Sequence, residues 1–185
     1  MKRVLLAGIF AGLAVFIFSA IDHMALPTGH MGLKTLPQED VVLGAMRTAI
    51  SEPGLYFFPG MDLSRRMSAE EQKAWDARYL AGPTGLLVYS PGGAPPMQPR
   101  QLSTELFSDI LAAIIAAFVV SLTRASFGQR VLVVTLLGLF AWLSVSVSYW
   151  TWYRFPAAYV AAEGIDQVGG WLCGGIVLAA VFKGR

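Results

Sequence analysis

Four stretches of this chain, residues 4–21, 106–123, 131–149 and 165–182, are almost continuously apolar. Each approaches the roughly 20 residues that a helix needs to cross about 30 Å of hydrocarbon. Between the first and second stretches the pattern changes to short apolar runs broken by Gly, Pro and charge. The pattern predicts an all-α integral membrane protein: a four-transmembrane-helix bundle with a small α+β extracytoplasmic insertion. Residues 1–23 form the first transmembrane helix, 24–104 the insertion, and 105–185 the second to fourth helices.

The insertion carries its own element signals. Pro37, Glu39 and Asp40 ahead of Val41, Val42, Leu43, Met46 and Ile50 predict a helix with proline and acids at its start. Glu52-Pro53-Gly54 ends it. Leu55-Tyr56-Phe57-Phe58 predicts a short aromatic strand closed by Pro59-Gly60. Ser68-Ala69-Glu70-Glu71 has the form of a capping box opening a second helix, which runs to about Leu80 before Gly82-Pro83. A second strand follows at residues 85–90, then the turn-rich Pro91-Gly92-Gly93-Ala94-Pro95-Pro96. Two strands and two helices make only a small core, so this unit is expected to lean on the helices and the membrane surface.

Composition agrees with a bilayer environment: 55% hydrophobic and 14% charged residues, with a mean hydropathy of +0.56. Lys2 and Arg3 before an apolar run also describe a secretory signal peptide. Neither Ala20, with Phe18 two positions before it, nor Ala25, with His23, makes a small-x-small cleavage site, so an uncleaved anchor is expected. Lys2, Arg3, Arg124, Arg130, Lys183 and Arg185 gather on one side of the four spans, and all twelve acidic residues lie on the other side or at its boundary. The positive-inside rule makes the basic side cytoplasmic, which places both termini in the cytoplasm and residues 24–104 outside. The net charge of +2 is the remainder of this asymmetry and implies no nucleic-acid partner. Cys173 is the one cysteine, which excludes an intrachain disulfide and thiol-exchange chemistry. The topology is similar to that of claudins, but the cysteine pair in that family's outer loop is missing. The absence of asparagine removes any glycosylation sequon and points to a bacterial inner membrane.

Within the spans, Gly8 and Gly12, Ala112 and Ala116, and Gly170 and Gly174 form small-xxx-small pairs that permit close helix approach, within the chain or with partner subunits. The run Tyr149-Trp150-Thr151-Trp152-Tyr153-Arg154-Phe155-Pro156 forms an aromatic belt, which either anchors in headgroups or walls a ligand site.

Ionisable groups at membrane depth are functional candidates. Counted at about 1.5 Å per residue from the basic side, Asp109 and Asp166 lie roughly 22 and 25 Å up, and Asp22 and Glu105 roughly 28 Å. His23, Trp150 and Gln167 fall at nearly the same height. Glu105 and Asp109 are four apart and share a helix face. The sharp expectation is a polar pocket of Asp109, Glu105 and Asp166, neutralised by Arg154 or His23; Asp22, His23, Glu105, Asp109, Trp150, Arg154 and Asp166 are its candidate binding residues. The plain alternative is that each carboxylate reaches headgroups or sits near a helix N-terminus.

The chemistry this layer offers is limited. A metal site drawing on Asp22, His23, His30, Glu105 and Asp109 has no dense ligand motif, and Pro27 and Gly29 separate the histidines. An aspartyl peptidase resembling lipoprotein signal peptidase would pair its aspartates with asparagine, which this sequence lacks. Both histidines lie in one segment, which excludes a b-type haem between facing helices. No ionisable chain continues below the layer, which argues against ion transport. No motif names a cofactor. The leading expectation is a non-enzymatic accessory, scaffold or assembly subunit of a larger membrane complex, in contact with other membrane protein subunits and the lipid bilayer. Second comes a binding or transfer protein for a lipid or quinone-like molecule, and third a metal- or carboxylate-dependent membrane enzyme.

Overall fold

The computed structural model describes residues 1–182, so Lys183 and Arg185, assigned above to the basic side, lie outside the described residues. The elements are α1 (Lys2–Ala25), a 3₁₀ turn (Pro27–His30), α2 (Glu39–Ala49), β1 (Gly54–Phe58), α3 (Ala69–Ala81), β2 (Gly85–Tyr89), α4 (Pro99–Ser121), α5 (Phe127–Tyr153) and α6 (Ala157–Val181). Four helices, α1, α4, α5 and α6, are long and apolar enough to cross a membrane. The chain divides into two compact units, one of Met1–Leu33 with the chain from Pro96 onward, the other of Lys34–Pro95.

The long helices extend past their apolar runs. α4 starts at Pro99, where proline occupies the first turn and Gln98 and Gln101 form reciprocal caps. α5 starts after Ser126, which accepts from Gln129 N–H while Gln129 Oε1 accepts from Ser126 N–H. It continues through Tyr153 and ends at Arg154, in the left-handed conformation at φ 59°. The aromatic run is therefore the last turns of a helix and its cap. α6 begins at Ala157, eight residues ahead of its apolar run, because Pro156 starts it and the alanine-rich segment 157–162 sustains it. Hydropathy delimits the part suited to hydrocarbon, whereas hydrogen bonding and propensity delimit the helix.

In this unit α1 is the central helix. It packs against α4 on one side and α6 on the other; α6 in turn packs on α5, and α4 and α5 barely touch. The expected bundle is thus an open row, α4–α1–α6–α5. Its seams are lined by small residues. A Cβ added at Gly8 or Gly12 would overlap the α4 backbone at Ile114 or Ile110, and one at Gly174 would lie 2.7 Å from Val15 and 3.3 Å from the Ala11 carbonyl of α1. On α4 the buried stripe is Ala113, Ala116, Ala117 and Val120, so Ala113 takes the place expected of Ala112. Ala7, Ala11, Val134, Leu178 and Phe182 complete a core at one end of the helices. Arg130, expected in solvent on the basic side, is buried there and donates to the Phe182 carbonyl at 2.8 Å, closing the C-terminal end of α6. The row's outer surfaces carry large exposed apolar side chains, among them Phe107, Ile115, Phe118, Leu136 and Phe140. An exterior of this kind is compatible with a multi-pass membrane protein.

The second unit pairs β1 with β2 antiparallel, Leu55 opposite Val88 and Phe57 opposite Leu86. Trp75 of α3 donates through Nε1 to the Pro59 carbonyl at 2.9 Å, and its ring lies 5.0 Å from Tyr79. Ser68 and Glu71 form the capping box read from the sequence. Glu71 also receives a two-pronged contact from Arg65, at 2.9 and 2.6 Å, and Arg65 reaches Asp62 at 3.2 Å. Neither α2 nor α3 buries a residue fully, so polar contacts rather than a dry core order this unit.

Two outcomes follow. Gly12→Val should cost about 1–3 kcal/mol through overpacking at the α1–α4 seam, read as a lowered Tm in detergent. The Arg65 guanidinium and the Ser68 N–H hold Glu71 at about 2, below its ordinary 4.5. A depressed carboxylate stabilises the fold above its unfolded value and gives that up as pH falls through its folded value. The Glu71 side-chain carbon resonance should therefore titrate near pH 2, with the order of the α3 start lost on that approach; a midpoint near 4.5 would refute the contact.

Candidate functional site

At the end of the helices away from the alanine core, three segments of the first unit converge: the last turns of α1, the 3₁₀ turn that follows, and the first half of α6. Asp22 is the pivot. It lies on the last turns of α1 and is 1% exposed, yet it carries a carboxylate. The chain turns back immediately after α1, and Thr28 in the 3₁₀ turn donates its hydroxyl to Asp22 Oδ1. This return is close enough that a Cβ on Gly29 would lie 2.5 Å from the His23 Cα and 2.6 Å from the Asp22 carbonyl. Glycine is required there for approach.

His23, on the next position of α1, is half-exposed. Its Nδ1 lies 3.0 Å from the Ser19 carbonyl and 3.9 Å from Asp166 Oδ1. Asp166 projects from α6, and its Oδ1 is buried without a hydrogen-bond partner among the described residues. Ligand atoms of Asp22, His23 and Asp166 all lie within 4.8 Å of one another. These three face a cavity of about 250 Å³ that Thr28, Tyr159 and Glu163 also line. Tyr159, Glu163 and Asp166 are spaced four and three apart on α6, hence on one face.

A second cavity adjoins the first through His23. It has a volume of about 410 Å³ and runs between α1 and the start of α4. Phe16, Ala20, Met24, Met97 and Leu102 give it an apolar wall, and Ser19, His23, Gln101 and Glu105 supply polar groups.

The structure thus brings together Asp22, His23 and Asp166, and places Glu105 with His23 in the neighbouring cavity. Asp109 lines neither cavity. It stands half-buried on α4 with Oδ2 buried and without a hydrogen-bond partner, and Glu105 and Asp166 are its charged neighbours. Asp109 and Asp166 are 10 and 9 residues beyond the first residues of α4 and α6, too deep to interact with a helix N-terminus. Trp150, with Trp152, is exposed on the last turns of α5, and Arg154 is the α5 cap; neither Trp150 nor Arg154 lines either cavity. The aromatic run divides: the tryptophans face outward, whereas Tyr149, Phe155 and Tyr159 form a chain of ring contacts at 5.3 and 5.6 Å that ends at the carboxylate cavity. His30 and Glu105 are not part of the metal-like group.

Thr28, Glu163, Tyr159 and Gln101 are site residues missed in the sequence. The spacing of Tyr159, Glu163 and Asp166 was a usable signal, obscured by starting the fourth span at residue 165. Thr28 gave none, since only the reversal of the chain brings it back to Asp22.

No protein-family model, curated protein or solved structure matches this chain, so the chemistry of the site rests on its geometry.

Thr28→Val keeps the side-chain shape but leaves the buried Asp22 oxygen without its donor. The expected loss is about 1–3 kcal/mol, measured by thermal unfolding in detergent, with Thr28→Ser restoring most of it.

Proposed function

We propose that this chain is a multi-pass protein of a bacterial inner membrane that binds an amphipathic small molecule, lipid or quinone-like, in the cavity between α1 and the start of α4. In this reading both termini are cytoplasmic, residues 24–104 are periplasmic, and the cavity opens in the outer leaflet. Four helices of sufficient length and the distribution of Lys and Arg support the topology.

The observation that carries the binding reading is the cavity itself. Its volume of about 410 Å³ lies in the range of small-molecule sites, which are mostly apolar with a few polar groups that fix orientation. The apolar wall of Phe16, Ala20, Met24, Met97 and Leu102 suits an acyl or isoprenoid chain, and His23, Gln101 and Glu105 supply donors and acceptors for a polar head. The accessory-subunit reading placed docking on the outer cap and on small-residue helix faces. Gly8, Gly12 and Gly174 are used in seams within the chain and Ala116 is buried, so these positions favour the cavity reading.

Native mass spectrometry of the full chain, extracted in mild detergent, should show a retained adduct of lipid or quinone mass. Ala20→Phe, which fills the cavity, should abolish the adduct, and Glu105→Gln should reduce its occupancy. An adduct-free wild type overturns the proposal, and a stoichiometric protein partner beside an empty cavity would return the reading to a subunit of a larger complex.

A further inference from the structure

We propose that Asp22, His23 and Asp166 form a binding site for a divalent transition-metal ion in the smaller cavity, which adjoins the amphiphile cavity through His23. The argument starts from an imbalance. Asp22 is 1% exposed and keeps one protein donor, Thr28, while the Asp166 carboxylate is reached by the Ser19 hydroxyl and its buried Oδ1 has no hydrogen-bond partner among the described residues. Burying an ionised carboxylate without compensation is strongly unfavourable, and buried charges are found paired or coordinating metals. His23 lies near enough to be attracted to Asp166, but 3.9 Å is too long for a hydrogen bond.

Position and donor type both fit a cation. The three side chains come from two elements, α1 and α6, that pack against each other, and the 3₁₀ turn fastens the α1 end through Thr28 and Gly29. Their ligand atoms span at most 4.8 Å, and a contraction of roughly 1.2–1.5 Å would bring them to the separation of tetrahedral ligands bound at about 2.0–2.2 Å to one ion. The cavity of about 250 Å³ holds an ion and its remaining waters, and Glu163 on its wall is available as a further oxygen donor. Two carboxylates with an imidazole suit zinc, manganese or ferrous iron, whereas magnesium and calcium prefer all-oxygen sets. His23 Nδ1, the ring nitrogen 3.9 Å from Asp166 Oδ1, also lies 3.0 Å from the Ser19 carbonyl, which fixes the orientation of the ring.

The test uses the full chain in detergent, stripped with EDTA and titrated with Zn²⁺ by calorimetry, with bound metal counted by elemental analysis. One equivalent of Zn²⁺ per chain is expected, retained in millimolar Mg²⁺. Asp166→Asn and His23→Gln should each weaken binding at least tenfold, while Ala20→Phe and Glu105→Gln leave it unchanged. A readout independent of variants uses the two histidines: Zn²⁺ should protect His23, but not His30, from diethylpyrocarbonate, mapped by peptide mass spectrometry. Absence of stoichiometric Zn²⁺, displacement by Mg²⁺, or equal modification of both histidines overturns the proposal. Asp166 lines only the smaller cavity, so Asp166→Asn should weaken metal binding while leaving the amphiphile adduct, and that variant separates failure of one site from failure of the other.

Discussion

Close approach of α1 to both its neighbours is the constraint on which the first unit depends. Hydrocarbon chains are as apolar as leucine, so helices in a membrane gain little from hiding apolar surface and associate through packing. Gly8 and Gly12 let the α4 backbone touch α1, and Gly174 brings α6 onto Ala11 and Val15. With α1 held on both sides, α5 needs only α6 as a partner, and the row stays open between α4 and α5.

That packing is uneven along the helices, and the unevenness creates the site. Ala7, Ala11, Ala113, Ala116 and Ala117 close one end tightly, and Arg130, buried there among the described residues, donates its guanidinium to the end of α6. Towards the other end the seams carry larger and more polar side chains: Phe16, Ser19, Asp22 and His23 on α1, Glu163 and Asp166 on α6. Two cavities open there instead of a core. The turn after α1 then folds back and supplies Thr28, so the most fully buried of these carboxylates is held by a segment outside the helices.

Much of this was legible from local pattern. Four long apolar helices, two short helices and two short strands follow from hydropathy, capping residues and turn residues, all of which act over a few positions. The Ser68–Glu71 capping box was found where it was read, because its partners are three residues apart. Helix ends were less legible. α4 and α6 extend well beyond their apolar runs, and this displaced Asp109 and Asp166 from helix starts to helix interiors. The layer of carboxylates was also visible by counting depth, but depth has no azimuth. It could not tell that Asp22, His23 and Asp166 converge while Trp150 faces away.

The sequence by itself determined which segments are helices, which ends of them are polar, and that the candidate site side chains gather at one level. Those properties depend on neighbours along the chain and on the contrast between water and hydrocarbon. Only the tertiary structure decided which helix lies beside which, that the small-residue pairs are consumed within the chain, and that Asp22 is buried under Thr28. The first two depend on the rotation of one helix against another, set by contacts such as Gly8 with Ile114 and Gly174 with Val15 between residues distant in the chain, and the third on the reversal of the chain after α1.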